Sequence, residues 1–192
     1  VLGCTLISAT AAVITQIPAS VMDAGYPTTT AASIASLYLF IAIPGKLVLG
    51  HIYDRYGVKA GILFGNTMFF LSVVCLIFIK HQPFLYLMAI LFGFGTCIGT
   101  VSAPVITSGI FGTKHYAEIY GFLSLFPSVG YALGGPLIAS AYDLTGSYNI
   151  AWIIVAVLSI VMTAFLLYSY RVSRVCIKEQ EKTADKAKNT MQ

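Results

Sequence analysis

Charge is what this chain has least of. Its 192 residues include 11 Lys or Arg and 7 Asp or Glu, 9% of the total, where a water-soluble domain carries roughly a quarter. Half of these charges crowd between Arg171 and Lys188. Residues 1–170 hold only Asp23, Lys46, Asp54, Arg55, Lys59, Lys80, Lys114, Glu118 and Asp143. So thin a scatter does not coat a soluble globule, which excludes a cytosolic enzyme and a nucleic-acid-binding module. The cysteines, Cys4, Cys75, Cys97 and Cys176, show no C-x-x-C spacing, so neither a disulfide framework nor a metal site is expected. Thiols inside apolar runs behave as small hydrophobes. His51, His81 and His115 fall in predicted connections and no two share a helix face, which again argues against a metal. No N-x-S/T sequon occurs.

What is present is apolar length. Hydrophobic residues make up 58% of the chain, and crossing about 30 Å of hydrocarbon takes roughly 20 helical residues. Stretches of that kind lie at about 1–21, 30–50, 59–79, 84–110, 117–140 and 150–170. Short connections separate them at Asp23 to Pro27, His51 to Val58, Lys80 to Pro83, Phe111 to Tyr116 and Tyr142 to Asn149. Backbone groups in lipid must be satisfied internally, so only helices or closed barrels span it, and uninterrupted runs exclude the alternating strands of a barrel. The expected fold is all-α and integral to the membrane: a six-helix bundle over residues 1–170, then a basic, disordered tail over 171–192.

Orientation follows from the cations. Connections two and four and the tail hold Arg55, Lys59, Lys114 and the tail's six Lys and Arg, whereas connections one, three and five hold only Lys80. The positive-inside rule puts the tail, and with six spans the N-terminus of this segment too, in the cytoplasm of a multi-pass cell-membrane protein. Val1 already lies in an apolar run without flanking basic residues, so the expectation is a fragment cut within or just before its first span. Pro18, Pro44, Pro104, Pro127 and Pro136 sit in or near the spans, as do Gly93, Gly95, Gly99, Gly121, Gly130, Gly134 and Gly135. Prolines kink membrane helices where neighbours satisfy the freed carbonyls, and small residues let backbones approach closely.

The second connection, Gly50-His51-Ile52-Tyr53-Asp54-Arg55-Tyr56-Gly57-Val58-Lys59, is the most specific stretch. Gly57 permits a reversal with φ > 0. Asp54, expected in the turn, is a carboxylate flanked by the cations Arg55 and Lys59. Two readings are open on chemistry alone: a latch onto the positive N-terminus of a neighbouring helix, or a solvated hairpin. The pattern G-x-x-x-D-R-x-G-x-K resembles the signature loop of the major facilitator superfamily, found there between spans two and three and more loosely between eight and nine. The basic tail fits the second half, spans seven to twelve. Gly121, Gly130 and Gly134-Gly135-Pro136 resemble, one residue out of step, the glycine/proline motif of antiporter members, and are read as helix packing. Gln16 to Gly57 and Ala141 to Tyr148 are similar to the oxalate–formate antiporter and monocarboxylate transporter group.

The resemblance implies half of a secondary active transporter that moves a small solute by alternating access. Gly50, Asp54, Arg55, Gly57 and Lys59 form its gating motif. Its partners are an anionic small molecule such as a mono- or dicarboxylate, the bilayer, and a missing N-terminal six-span half. No cofactor is implied. Lys46, roughly 6 Å deeper than Gly50, is the only charge well inside a predicted span, sharing a face with Ala35, Tyr38 and Ala42. An intramembrane cation faces a cavity or a partner, so Lys46 with Tyr38 is the candidate substrate contact; the other role open to Lys46 is snorkelling to the interface. In the narrower group an arginine holds this place, and lysine keeps the charge without the bidentate fork. Ala42 stands where monocarboxylate transporters have an acidic residue, and Phe122 to Ala141 lacks the lysine of the oxalate transporters, so neither proton coupling nor a dicarboxylate clamp is implied. A drug or sugar carrier of the same superfamily and a non-transporting polytopic protein are the alternatives. Cationic cargo wants an intramembrane carboxylate, and no paired catalytic groups occur within the spans.

Overall fold

A computed structural model describes residues 12–101 and 116–168. The early part of the first predicted span, the connection at 111–115 and the tail from 171 lie outside these residues. Helix α1 covers Val13–Asp23, α2 Thr28–Tyr56, α3 Val58–Ile77, α4 Gln82–Gly95, α5 Tyr116–Thr145 and α6 Tyr148–Tyr168. Helix α4 breaks at Thr96 and its apolar path continues to Val101. Five of these segments, α2 to α6, are long and apolar enough to cross a membrane, and no strand occurs among the described residues.

The helix boundaries follow local chemistry. Gly25 turns the chain at φ 94° and Pro27, at φ −64° and ψ 153°, leads into α2. Proline in the first turn of α4 fills a position whose N–H has no intrahelical acceptor. Gly146, at φ 65°, closes α5. Two boundaries differ from the sequence expectation. Helix α5 runs on to Thr145, and α2 does not stop at Gly50 but continues through His51, Asp54 and Arg55 to Tyr56. The expected connection from His51 to Val58 shrinks to Gly57 alone. At 29 residues, α2 is about 44 Å long against about 30 Å of hydrocarbon, so its last turns extend beyond the apolar layer.

Glycines set how closely the helices pack. A Cβ on Gly93 of α4 would lie 2.8 Å from Cβ of Ile41 and 2.9 Å from the Tyr38 carbonyl oxygen of α2; one on Gly95 would lie 2.7 Å from Cα of Phe69 in α3. From the opposite side, a Cβ on Gly45 of α2 would lie 3.0 Å from Cys97 Sγ. Helix α4 is thus wedged between α2 and α3 with backbone against backbone. Around this seam one apolar cluster joins Ile17, Tyr38, Phe69, Phe92 and Trp152, and a second joins Leu49, Tyr53, Ile62, Met162 and Leu166.

Helix α5 is held more loosely. Gly130 and Gly134 are buried, Gly135 has its nearest neighbour at Thr15 Oγ1, 3.8 Å from where a Cβ would stand, and Pro136 is exposed. Gly134 also borders an apolar cavity of about 200 Å³ between α5 and α6. At the end of α5 the Tyr142 hydroxyl donates to Asp23 Oδ1 at 2.8 Å, and the Tyr142 ring stacks on Tyr148 at 4.3 Å, tying α1, α5 and α6 together.

Gly95→Ala must push α3 away through backbone atoms, and overpacking of this kind costs about 1–3 kcal/mol. Nothing lies within 4 Å of a Cβ on Gly50, so Gly50→Ala is neutral or mildly stabilising by the usual helix preference. Thermal unfolding of the purified protein checks the pair, and equal melting of the two variants would show that the seam is not tight.

Candidate functional site

The segment from Gly50 to Lys59 is a helical corner rather than a loop. Asp54 and Arg55 occupy the last turn of α2, both exposed. Asp54 makes no hydrogen bond or ion pair among the described residues, and residues 102–115, which lead into α5, lie outside them. Arg55 lies with its guanidinium 5.8 Å from the Tyr56 ring centroid. A cation near the C-terminus of α2 also complements the partial negative charge of its free carbonyls. Gly57, at φ 81° and ψ 172°, is the whole joint between α2 and α3. That region of backbone space is open essentially to glycine alone. Lys59 follows in the first turn of α3, exposed to solvent and engaged with a neighbour.

Tyr53 and Gly61 complete this corner; Tyr53 entered the sequence reading only as a member of the second connection, and Gly61 not at all. The Tyr53 ring is buried and lies flat over Gly61, where a Cβ would fall 2.5 Å from Tyr53 Cε1. The signal was available: an aromatic eight residues before a glycine, across a one-residue joint, brings ring and backbone together on antiparallel helices.

Lys46 sits farther from a helix end than the sequence suggested. With α2 continuing to Tyr56, about 15 Å of helix separates the two residues. Its side chain is exposed, and its charge is within electrostatic reach of the Cys97 thiol on the α4 path. Among the described residues it is the charge most distant from any helix end. Tyr38, expected on the same face, is turned into the core. It is 4% exposed, meets Phe92 edge to face at 5.2 Å, and its hydroxyl donates to the Ile14 carbonyl of α1 at 3.5 Å. Two turns of helix rotate it by about 80° from Lys46, enough to separate a core position from an open one. Lys46 and Tyr38 are therefore not brought together. Ala42 is half-buried, and its carbonyl accepts the Cys97 thiol hydrogen bond at 3.4 Å.

The hydroxyls in the spans are mostly spent on their own backbones. Ser72, Thr96, Thr100, Ser124 and Ser128 each donate to a carbonyl three or four residues back. Ser102 lies outside the described residues. Asn66 is different: it is 2% exposed and neither atom of its carboxamide has a partner. No cluster of metal-ligating side chains occurs among the described residues.

The chain matches the family model described as Major Facilitator Superfamily over residues 1–191. It is 28% identical to monocarboxylate transporter 14 of Mus musculus over 136 residues, 70% of this chain and 26% of that protein. Monocarboxylate transporter 9 of Pongo abelii is 32% identical over 110 residues, 56% of this chain and 21% of the relative. An MFS-type transporter 1 of Ophiocordyceps sp. (strain BCC 1869) is 52% identical over 44 residues, 23% of this chain and 10% of the relative. The chain thus spans about a quarter of the length of the curated monocarboxylate transporters it matches.

Gly57→Ala forces a side chain into a glycine-only conformation at a cost of about 1–3 kcal/mol. The expected result is a lower melting temperature together with a wider α2–α3 angle, read by spin-label distances across the corner. Wild-type melting and distances in this variant would refute the joint as described.

Proposed function

The chain belongs to the major facilitator superfamily, and from that premise we propose that it forms spans seven to twelve of a secondary transporter moving a small organic anion by alternating access. The proposed unit is the six-helix bundle of residues 1–170 with a cytoplasmic tail at 171–192, working with an N-terminal six-span half. A mono- or dicarboxylate is the proposed cargo. The monocarboxylate transporter names among the relatives support that class.

The observation that carries the reading is Lys46. It is an exposed cation deep within α2, with Asp23, Asp54, Glu118 and Asp143 all at or near helix ends. A charge in that position is costly unless it faces water or a counter-charge, and an anionic solute supplies the second. Tyr38 stays in the core with its hydroxyl on the Ile14 carbonyl, so the proposed contact rests on Lys46 alone. Support for a site between two halves comes from unequal burial. In the apolar stretches of α2 and α5, 22% and 17% of residues are buried, against 50% in α3. Their open faces are what a second bundle covers, with substrate held midway.

Asp54 and Arg55 act in this proposal as a cytoplasmic latch. Among the described residues neither the carboxylate nor the guanidinium forms a salt bridge, which leaves both to engage a second half when the inner side closes. Gly50 leaves room beside them, and Gly57 and Lys59 set the direction of α3. Gly130, Gly134, Gly135 and Pro136 let α5 shift against α1 and α6.

In the intact transporter, Lys46→Gln should raise the KM for the anion at least tenfold while Lys46→Arg retains uptake. Unchanged affinity in Lys46→Gln would remove this residue from the binding site. For the latch, cysteines at positions 54 and 55 should react with membrane-impermeant reagents only after cells are opened, and exchanging the two charges should abolish flux at normal surface expression. Labelling from outside, or undiminished flux, would overturn the gate.

A further inference from the structure

Asn66 has no counterpart elsewhere in the described bundle. It lies about 12 Å along α3 from Val58, well inside the span, and both carboxamide atoms are buried without a hydrogen-bond partner. Leaving such a group orphaned in an apolar setting is costly, and buried polar side chains are in the great majority paired. Beside it, a notch of about 370 Å³ opens between α3 and α6. Ser159 and Thr163 from α6 stand at its polar edge, and Phe70, Ile160 and Leu167 make its apolar walls.

The donors and acceptors around the notch define what fits. Ser159 donates its hydroxyl proton to the Ala156 carbonyl at 2.7 Å, and Thr163 donates to the Ser159 carbonyl at 2.8 Å. Both oxygens are thereby left as acceptors only. Asn66 offers donors at Nδ2 and an acceptor at Oδ1. A carboxylate entering here meets one donor group among three acceptor oxygens, and an ammonium meets no counter-charge. A neutral hydroxyl matches the set, accepting from Asn66 Nδ2 while donating to Asn66 Oδ1 or Ser159 Oγ.

We propose that the α3–α6 notch is a binding site for an uncharged hydroxyl, received by Asn66 against the hydroxyl oxygens of Ser159 and Thr163. Both carboxamide atoms are enclosed as they stand, so the contact requires the Asn66 side chain to turn toward the notch. Two molecules carry that chemistry in a membrane. One is water, which needs about two to four polar partners, supplied here by the Asn66 carboxamide and the Ser159 and Thr163 oxygens on an otherwise apolar lining. The other is an alcohol-headed lipid whose body lies along Phe70, Ile160 and Leu167. The site is separate from Lys46 and does not depend on transport.

The test uses the intact protein in phosphatidylcholine nanodiscs, as wild type, Asn66→Leu and Thr163→Val. If a membrane alcohol occupies the notch, adding cholesterol raises the melting temperature of the wild type and shifts neither variant. If water occupies it, X-ray radiolysis in H₂¹⁸O labels Phe70 in sterol-free wild type, and both variants lose most of that label. Thr163→Val removes one acceptor and keeps the side chain's shape, so the comparison stands even if Asn66→Leu folds poorly. A wild type that neither responds to cholesterol nor labels more than Thr163→Val overturns the proposal.

Discussion

Two helices surrounded by lipid gain little by touching, because acyl chains are as apolar as leucine side chains. What holds α4 against α2 and α3 is close approach, which multiplies dispersion contacts and shortens polar ones. Gly93 and Gly95 create it by having no side chain where Tyr38, Ile41 and Phe69 come near. The large side chains then follow. Phe92 reaches both Tyr38 and Phe69, at 5.2 and 5.9 Å between ring centroids, only because the backbones beside it are already in contact. The core containing Trp152 and Ile17 is assembled around this wedge.

Much of this was legible in the residues. Hydrophobic length revealed the spans because lipid demands about twenty apolar residues and leaves the backbone no other partner. Small residues at Gly93 and Gly95 signalled the seam for the same steric reason that the structure displays. Helix ends were harder. His51 to Tyr56 read as a loop because it is polar, yet polarity marks the edge of the hydrocarbon and not the end of the helix. Between α2 and α3 it is Gly57 alone, with its left-handed φ, that interrupts the helix. The split between Tyr38 and Lys46 was also hidden: both belong to a broad stripe, and which part of a stripe is covered depends on where α1 and α4 pack.

Polar residues divide along similar lines. Most of the described serines and threonines in the spans satisfy themselves locally, a behaviour that hydroxyls at helical φ and ψ make routine, so their presence alone carried little information. A carboxamide cannot do this as easily, since it must pair both a donor and an acceptor. That distinction, visible in the residue type of Asn66 before any coordinates, gained its weight only when burial and the missing partners were known together.

Pro44 lies in the middle of α2, just before Gly45 and Lys46. A proline has no N–H to give the carbonyl four residues back, so Phe40 loses its rung of the ladder at this point. Gly45 rests against Cys97 beside it, which makes the contact a fulcrum. From there to Tyr56 runs an arm of rigid helix of about 16 Å, and a kink of about 20° at its base swings the tip by roughly 5 Å. A bend of that size would carry the Asp54 and Arg55 end sideways by about the width of one side chain, while Lys46, close to the proline, would barely move.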